Sequence, residues 1–147
     1  MERYYLDTCI WLDLYEKRGI NGEHAQKLMH KILKENNVVL FSDLHIKELK
    51  QLDFSAEEIK CIFSTVLPNN SRHVHIYQEE LIEARRIASQ RRIPLGDVIH
   101  AIIARDNDSI LVSRDMILKR SEALIYHENQ KNFVNYLSYK PNSFSNS

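Results

Sequence analysis

Short apolar runs alternate along the chain with longer stretches in which apolar residues recur every three or four positions. "YYLD" reads as a short strand, and "TCIWLDLYEK" then sets Ile10, Trp11 and Leu14 at helical spacing, ending near Gly19. "EHAQKLMHKILKEN" places Ala25, Leu28, Met29, Ile32 and Leu33 on one helical stripe, and "VVLF" is a continuous apolar run suited to a parallel strand covered on both faces. Ser42 is placed to cap a helix through "SDLHIKELKQL", while Ser55 and Glu58 form a capping box ahead of the next one. "HVHIY" predicts a third strand. "QEELIEARRIASQRR" predicts a helix with acids early and arginines late, as its dipole prefers. "DVIHAIIARDN" is apolar nearly all round and should be a buried helix. "SILVS" predicts a fourth strand, "RDMILKR" a short helix and "ALIYH" a fifth strand. This alternation predicts an α/β layered fold with a mainly parallel sheet and right-handed crossovers, in which ligands bind beyond the carboxyl ends of the strands.

Composition narrows the setting. The 147 residues fit one domain, expected over 1–139, with a polar, aperiodic tail over 140–147. A 44% hydrophobic and 27% charged content is that of a globular chain, neither disordered nor fibrous. No apolar run approaches the roughly 20 residues of a membrane span, and "MERYYLDT" lacks the pattern of a signal peptide. A cytoplasmic protein without a membrane partner is therefore expected. Cys9 and Cys61 make neither a C-x-x-C pair nor a disulfide framework, so reduced thiols are expected. With zero formal net charge, any polyanionic partner must be held by a local patch.

Four acids stand in unusual places. Asp7 closes the first strand and Asp115 lies just beyond the fourth, which puts both at one rim of the sheet. Asp97 opens the buried helix and can face the same rim. Glu48, at about 100° per residue, falls between Leu44 and Leu52 on an apolar arc, where a carboxylate is costly without a partner. No dedicated basic partner for it is evident in the sequence. Asp7, Asp97 and Asp115 could each cap a following helix, and the Glu48 head could reach water past its packed stem. Collected at one rim, however, the acids would repel one another and raise their own pKa values unless a divalent cation neutralised them. Oxygen ligands without a Cys/His cluster favour Mg²⁺ or Mn²⁺, ions that turn a bound water into a nucleophile against a phosphodiester.

These residues resemble the PIN-domain ribonucleases, most closely the VapC-like toxins of toxin–antitoxin pairs. The carriers are "YYLDTCIW" with Asp7 and Thr8, "FSDLHIKEL" with Glu48, "PLGDVIHAIIA" with Asp97, and "ILVSRD" with Ser113 and Asp115. The resemblance implies a single PIN-like domain with a five-stranded parallel sheet flanked by helices. Asp7, Glu48, Asp97 and Asp115 would be the catalytic quartet holding one or two Mg²⁺ or Mn²⁺ ions. Thr8 and Ser113 would orient the first and last acids by hydrogen bonds. The activity implied is endonucleolytic hydrolysis of single-stranded RNA by a metal-activated water, leaving 5′-phosphate and 3′-hydroxyl ends. A homodimer and an antitoxin that covers the acidic site are the partners implied. A housekeeping RNA-processing nuclease and a non-catalytic RNA- or protein-binding scaffold are the alternatives. An aspartate-nucleophile phosphatase would need a second Asp where Cys9 stands.

Other residues carry weaker signals. His100, three residues after Asp97, could serve as a proton shuttle or phosphate contact, or simply as a hydrogen-bonded structural residue. Arg114, Lys119 and Arg120 lie near the expected rim and are favoured as RNA contacts. Arg85, Arg86, Arg91 and Arg92 fit an RNA-facing patch or a helix end decorated with cations. His73 and His75 alternate on one strand face but lack a third ligand, a poor case for zinc. Asp13 reads as solvated, and Tyr4, Tyr5 and Trp11 read as core.

Overall fold

The computed structural model describes residues 1–17, 19–66 and 68–113. Four parallel strands, β1 (Arg3–Leu6), β2 (Val38–Ser42), β3 (Ser71–Val74) and β4 (Ile110–Val112), lie in the order β3-β2-β1-β4. Between them run α1 (Thr8–Glu16), α2 (Gly19–Lys34), α3 (Asp43–Gln51), α4 (Ala56–Phe63), α5 (Gln78–Arg91) and α6 (Leu95–Asp106). The expected fifth strand, the short helix before it, the tail, and Arg114, Asp115, Lys119 and Arg120 lie outside the described residues.

Parallel neighbours need helical crossovers, and these cover both faces of the sheet. Side chains alternate along each strand, so Tyr4, Leu6, Val39, Ile110 and Val112 enter one core with α1, α2 and α4. Tyr5, Val38, Leu40 and Leu111 enter the other, with α5 and α6. Each strand is therefore apolar on consecutive residues, which is why its run is continuous. On the second face Arg105 clamps α6 to α5 by donating to both Glu83 carboxylate oxygens at 2.8 Å.

Several boundaries differ from expectation. The first helix stops at Glu16, and the next begins at Gly19 rather than at Glu23. Gly22 then passes so close to α1 that a Cβ there would stand 2.7 Å from the Lys17 carbonyl carbon. That approach covers Asp13, which is buried rather than solvated. The third strand starts two residues earlier than "HVHIY", where Ser71 pairs with Val39, and ends where Val74 pairs with Ser42, the last residue of β2. Leu52 is exposed at the end of α3 instead of extending its apolar arc.

The strand order reverses direction at β1: the chain moves from β1 to β2 and β3 on one side, then crosses to β4 on the other. Open α/β sheets bind ligands at the carboxyl ends of strands beside such a switch point. Asp7 follows β1 and Ser113 follows β4 at that place.

Candidate active site

Asp7 is the N-cap of α1, and its backbone still belongs to the sheet, donating to the Val112 carbonyl at 2.9 Å. Both of its carboxylate oxygens accept hydrogen bonds. Oδ1 accepts from the Thr8 backbone N–H at 2.8 Å, and Oδ2 accepts from the Ser113 hydroxyl at 3.1 Å and the Cys9 thiol at 3.2 Å. Asp7 therefore caps α1 and, with the same carboxylate, accepts from the residue that follows β4. The Ser113 hydroxyl orients Asp7, the first acid. The Thr8 hydroxyl turns instead to Glu48, donating to Oε2 at 2.6 Å.

Glu48 reaches the same place from α3. Its Oε1 lies 3.0 Å from His100 Nε2, and Asp7 Oδ1 lies 3.7 Å from that same nitrogen. A ligand atom from each of Asp7, Glu48 and His100 falls within 4.8 Å of the others. The partner that the sequence left unidentified for Glu48 is thus His100, supplied by α6 from the other side of the rim. Burial pushes the Glu48 carboxyl up, but the His100 and Thr8 hydrogen bonds outweigh it and hold the group below the usual carboxylate range. The expectation that mutual repulsion would raise it is overturned by that imidazole. For His100, burial works against protonation, and the nearby Glu48, Asp7 and Asp97 carboxylates reverse the balance and raise its pKa.

His100 is buried beneath the carboxylates with both nitrogens engaged, so it does not present an edge to phosphate at the surface. Its Nδ1 lies 2.6 Å from the Tyr5 hydroxyl, which lies 2.8 Å from Ser42 Oγ. Tyr5 is core, as expected, but its hydroxyl supports the site. Asp97 stands in the first turn of α6, one turn before His100 and partly exposed. The N-cap there is Pro94, so Asp97 is not the capping residue.

Two contributors escaped the sequence reading. Gly96 lets Glu48 in: a Cβ at that position would stand 3.2 Å from Glu48 Oε1. His45, three residues before Glu48, locks α3 against β1. Its Nδ1 accepts from the Ser42 N–H at 2.9 Å, which leaves Nε2 protonated to donate to the Leu6 carbonyl at 2.6 Å. A histidine three residues after a serine cap, where Glu or Gln usually completes a capping box, was the available signal.

The chemistry of the donors suits a hard divalent cation: two carboxylates of partial exposure converge from separate elements, Asp7 Oδ1 and Glu48 Oε1 lying 3.7 and 3.0 Å from the same His100 nitrogen. Comparison with known proteins gives this geometry its frame. The PIN-domain family profile matches residues 4–124. The chain belongs to the PIN-domain family. The fold of this PIN domain is also similar to a chain in the crystal structure of VapBC2 from Rickettsia felis bound to a DNA fragment from their promoter. The TM-score is 0.61 at 20% sequence identity, over 80% of this chain and 92% of that one. No curated protein matches this chain. Among the described residues, no helix is long and apolar enough to cross a membrane.

Proposed function

We propose that this PIN domain is a Mg²⁺- or Mn²⁺-dependent endoribonuclease that hydrolyses single-stranded RNA. The observation that carries the reading is the convergence of Asp7 and Glu48 on one point at the topological switch of a PIN fold. Asp7 and Glu48 would hold the cation, with Asp97 supplying a third carboxylate from α6. Asp115, two residues beyond Ser113, is proposed as the fourth. A bound cation would supply activation of water and neutralisation of charge on the scissile phosphodiester. The chain's own residues do the rest. Ser113, Thr8 and Cys9 fix the two carboxylates, and His100 keeps Glu48 ionised and directed. Arg114, Lys119 and Arg120 are proposed to bind RNA phosphates, while Arg85, Arg86, Arg91 and Arg92 are exposed on or beside α5.

The toxin role is favoured over a housekeeping nuclease by the likeness to the VapBC2 structure. It implies an antitoxin that covers the acidic site and a toxin that dimerises. The scaffold alternative is disfavoured because a non-cutting protein gains nothing from paired carboxylates held by five separate hydrogen bonds.

The test is incubation of a mixed-sequence single-stranded RNA with the full chain in EDTA, Mg²⁺ or Mn²⁺, followed by end-group analysis. Cleavage only with metal, giving 5′-phosphate and 3′-hydroxyl ends, is the expected result. Products ending in 2′,3′-cyclic phosphate, or cutting that persists in EDTA, would contradict the proposal.

A further inference from the structure

A second group of metal-ligating side chains sits on the same carboxyl-terminal rim but at the opposite edge of the sheet. Asp43 is the first residue of α3, directly after β2, while His73 lies on the edge strand β3 and His75 just beyond it. Asp43, thirty residues before His73 in sequence, meets both histidines. His73 Nε2 is 2.6 Å from Asp43 Oδ1, and His75 Nδ1 is 3.3 Å from Asp43 Oδ2. One ligand atom from each of the three lies within 4.8 Å of the others.

The group is supported as a site would be. The His73 ring stacks on Phe41 at 5.0 Å with 5° between planes, and Phe41 stacks in turn on Phe63 at 4.3 Å, so His73 is not free to swing. The Ile76 backbone N–H donates to Asp43 Oδ2 at 3.3 Å and orients the carboxylate from behind. All three side chains keep a face to solvent, with exposures of 43% for Asp43, 35% for His73 and 69% for His75. Two imidazoles and one carboxylate with an open side match the donor set of three-ligand zinc sites, which leave a position for water or another ligand. Mg²⁺, which prefers an all-oxygen octahedron, is poorly served here.

We propose that Asp43, His73 and His75 form a second cation site, selective for Zn²⁺ or a similar transition metal and separate from the acidic centre. The site shares no residue with Asp7, Glu48 or His100, so it stands whether or not the chain cuts RNA.

The experiment is a Zn²⁺ titration of the full chain against a chromophoric chelator, run on wild type, His75→Ala and Glu48→Gln. His75 is mostly exposed, so its truncation leaves the core untouched, and the circular dichroism of each variant confirms the fold. The expected result is one Zn²⁺ per wild-type chain, binding at least about ten-fold weaker in His75→Ala and unchanged in Glu48→Gln. Co²⁺ in place of zinc should give visible absorption that His75→Ala abolishes. Equal Zn²⁺ affinity in wild type and His75→Ala, loss of binding only in Glu48→Gln, or no wild-type binding would each overturn the proposal.

Discussion

The Tyr5 hydroxyl lies 2.6 Å from Nδ1 of His100, so a core tyrosine on the central strand supports the imidazole that in turn holds Glu48. Removing that hydroxyl leaves a buried ring nitrogen and Ser42 Oγ each short of a partner, at a cost of roughly 1–3 kcal/mol. Tyr5→Phe should therefore fold with a lowered urea midpoint. It should also lose about 10- to 100-fold in metal affinity or turnover, as disturbed outer partners of metal ligands commonly do. KM for RNA should stay unchanged, since Tyr5 is wholly buried. Steady-state kinetics beside a denaturation curve checks both. A fall in stability with full turnover would make Tyr5 a core residue only.

Gly96→Ala separates stability from site geometry. Alanine suits a helix better than glycine by about 1 kcal/mol, and the atom its Cβ would crowd, Glu48 Oε1 at 3.2 Å, is the end of a movable side chain. The variant should unfold at the same or higher denaturant concentration, yet bind Mn²⁺ more weakly and cleave more slowly, because Glu48 must turn away. Mn²⁺ titration with a parallel urea curve reads the two effects. Full metal affinity in Gly96→Ala would remove Glu48 Oε1 from the site.

His45 makes a stability prediction with a pH signature. Burial, then the nearby His100 charge, hold its imidazole neutral, well below the usual histidine range. The unfolded chain gains a proton as pH falls through about 6.5, while the folded imidazole does not. The stability His45 contributes is thus fully present above that pH and declines below it. His45→Phe would strand the Leu6 carbonyl and the Ser42 N–H, costing roughly 2–4 kcal/mol near neutrality. The gap between wild type and His45→Phe should narrow from pH 7.5 to pH 5.5, a comparison in which His100 is common to both proteins. A gap that widens over that range would contradict the neutral assignment.

The parts of this molecule that were legible in the sequence are those whose signal is local. Val38–Leu40 is apolar without interruption because helices cover both faces of the sheet, α6 is apolar nearly all round because Val98–Ala104 is buried, and Ser55 with Glu58 forms the capping box its spacing indicates. What escaped depends on contacts distant in sequence. Glu48 and His100 are 52 residues apart, and no period along either helix announces that their side chains meet. Asp13 looked solvated because its covering helix is held close by Gly22, a residue that in sequence reads as punctuation. Asp43 meets His73 and His75 only because β2 and β3 pair, a contact that no local spacing announces.

On the proposed function, Asp7 ends its strand in order to hold a catalytic cation. The most direct test is cleavage of single-stranded RNA in Mg²⁺ by wild type and Asp7→Asn, with matched circular dichroism spectra. Asparagine still caps α1, so Asp7→Asn should keep an intact fold with cleavage lost by about 100-fold or more, the upper end of what even outer partners of metal ligands cost. Cleavage by Asp7→Asn at the wild-type rate would rule out a cation on Asp7 and leave the residue as a helix cap alone.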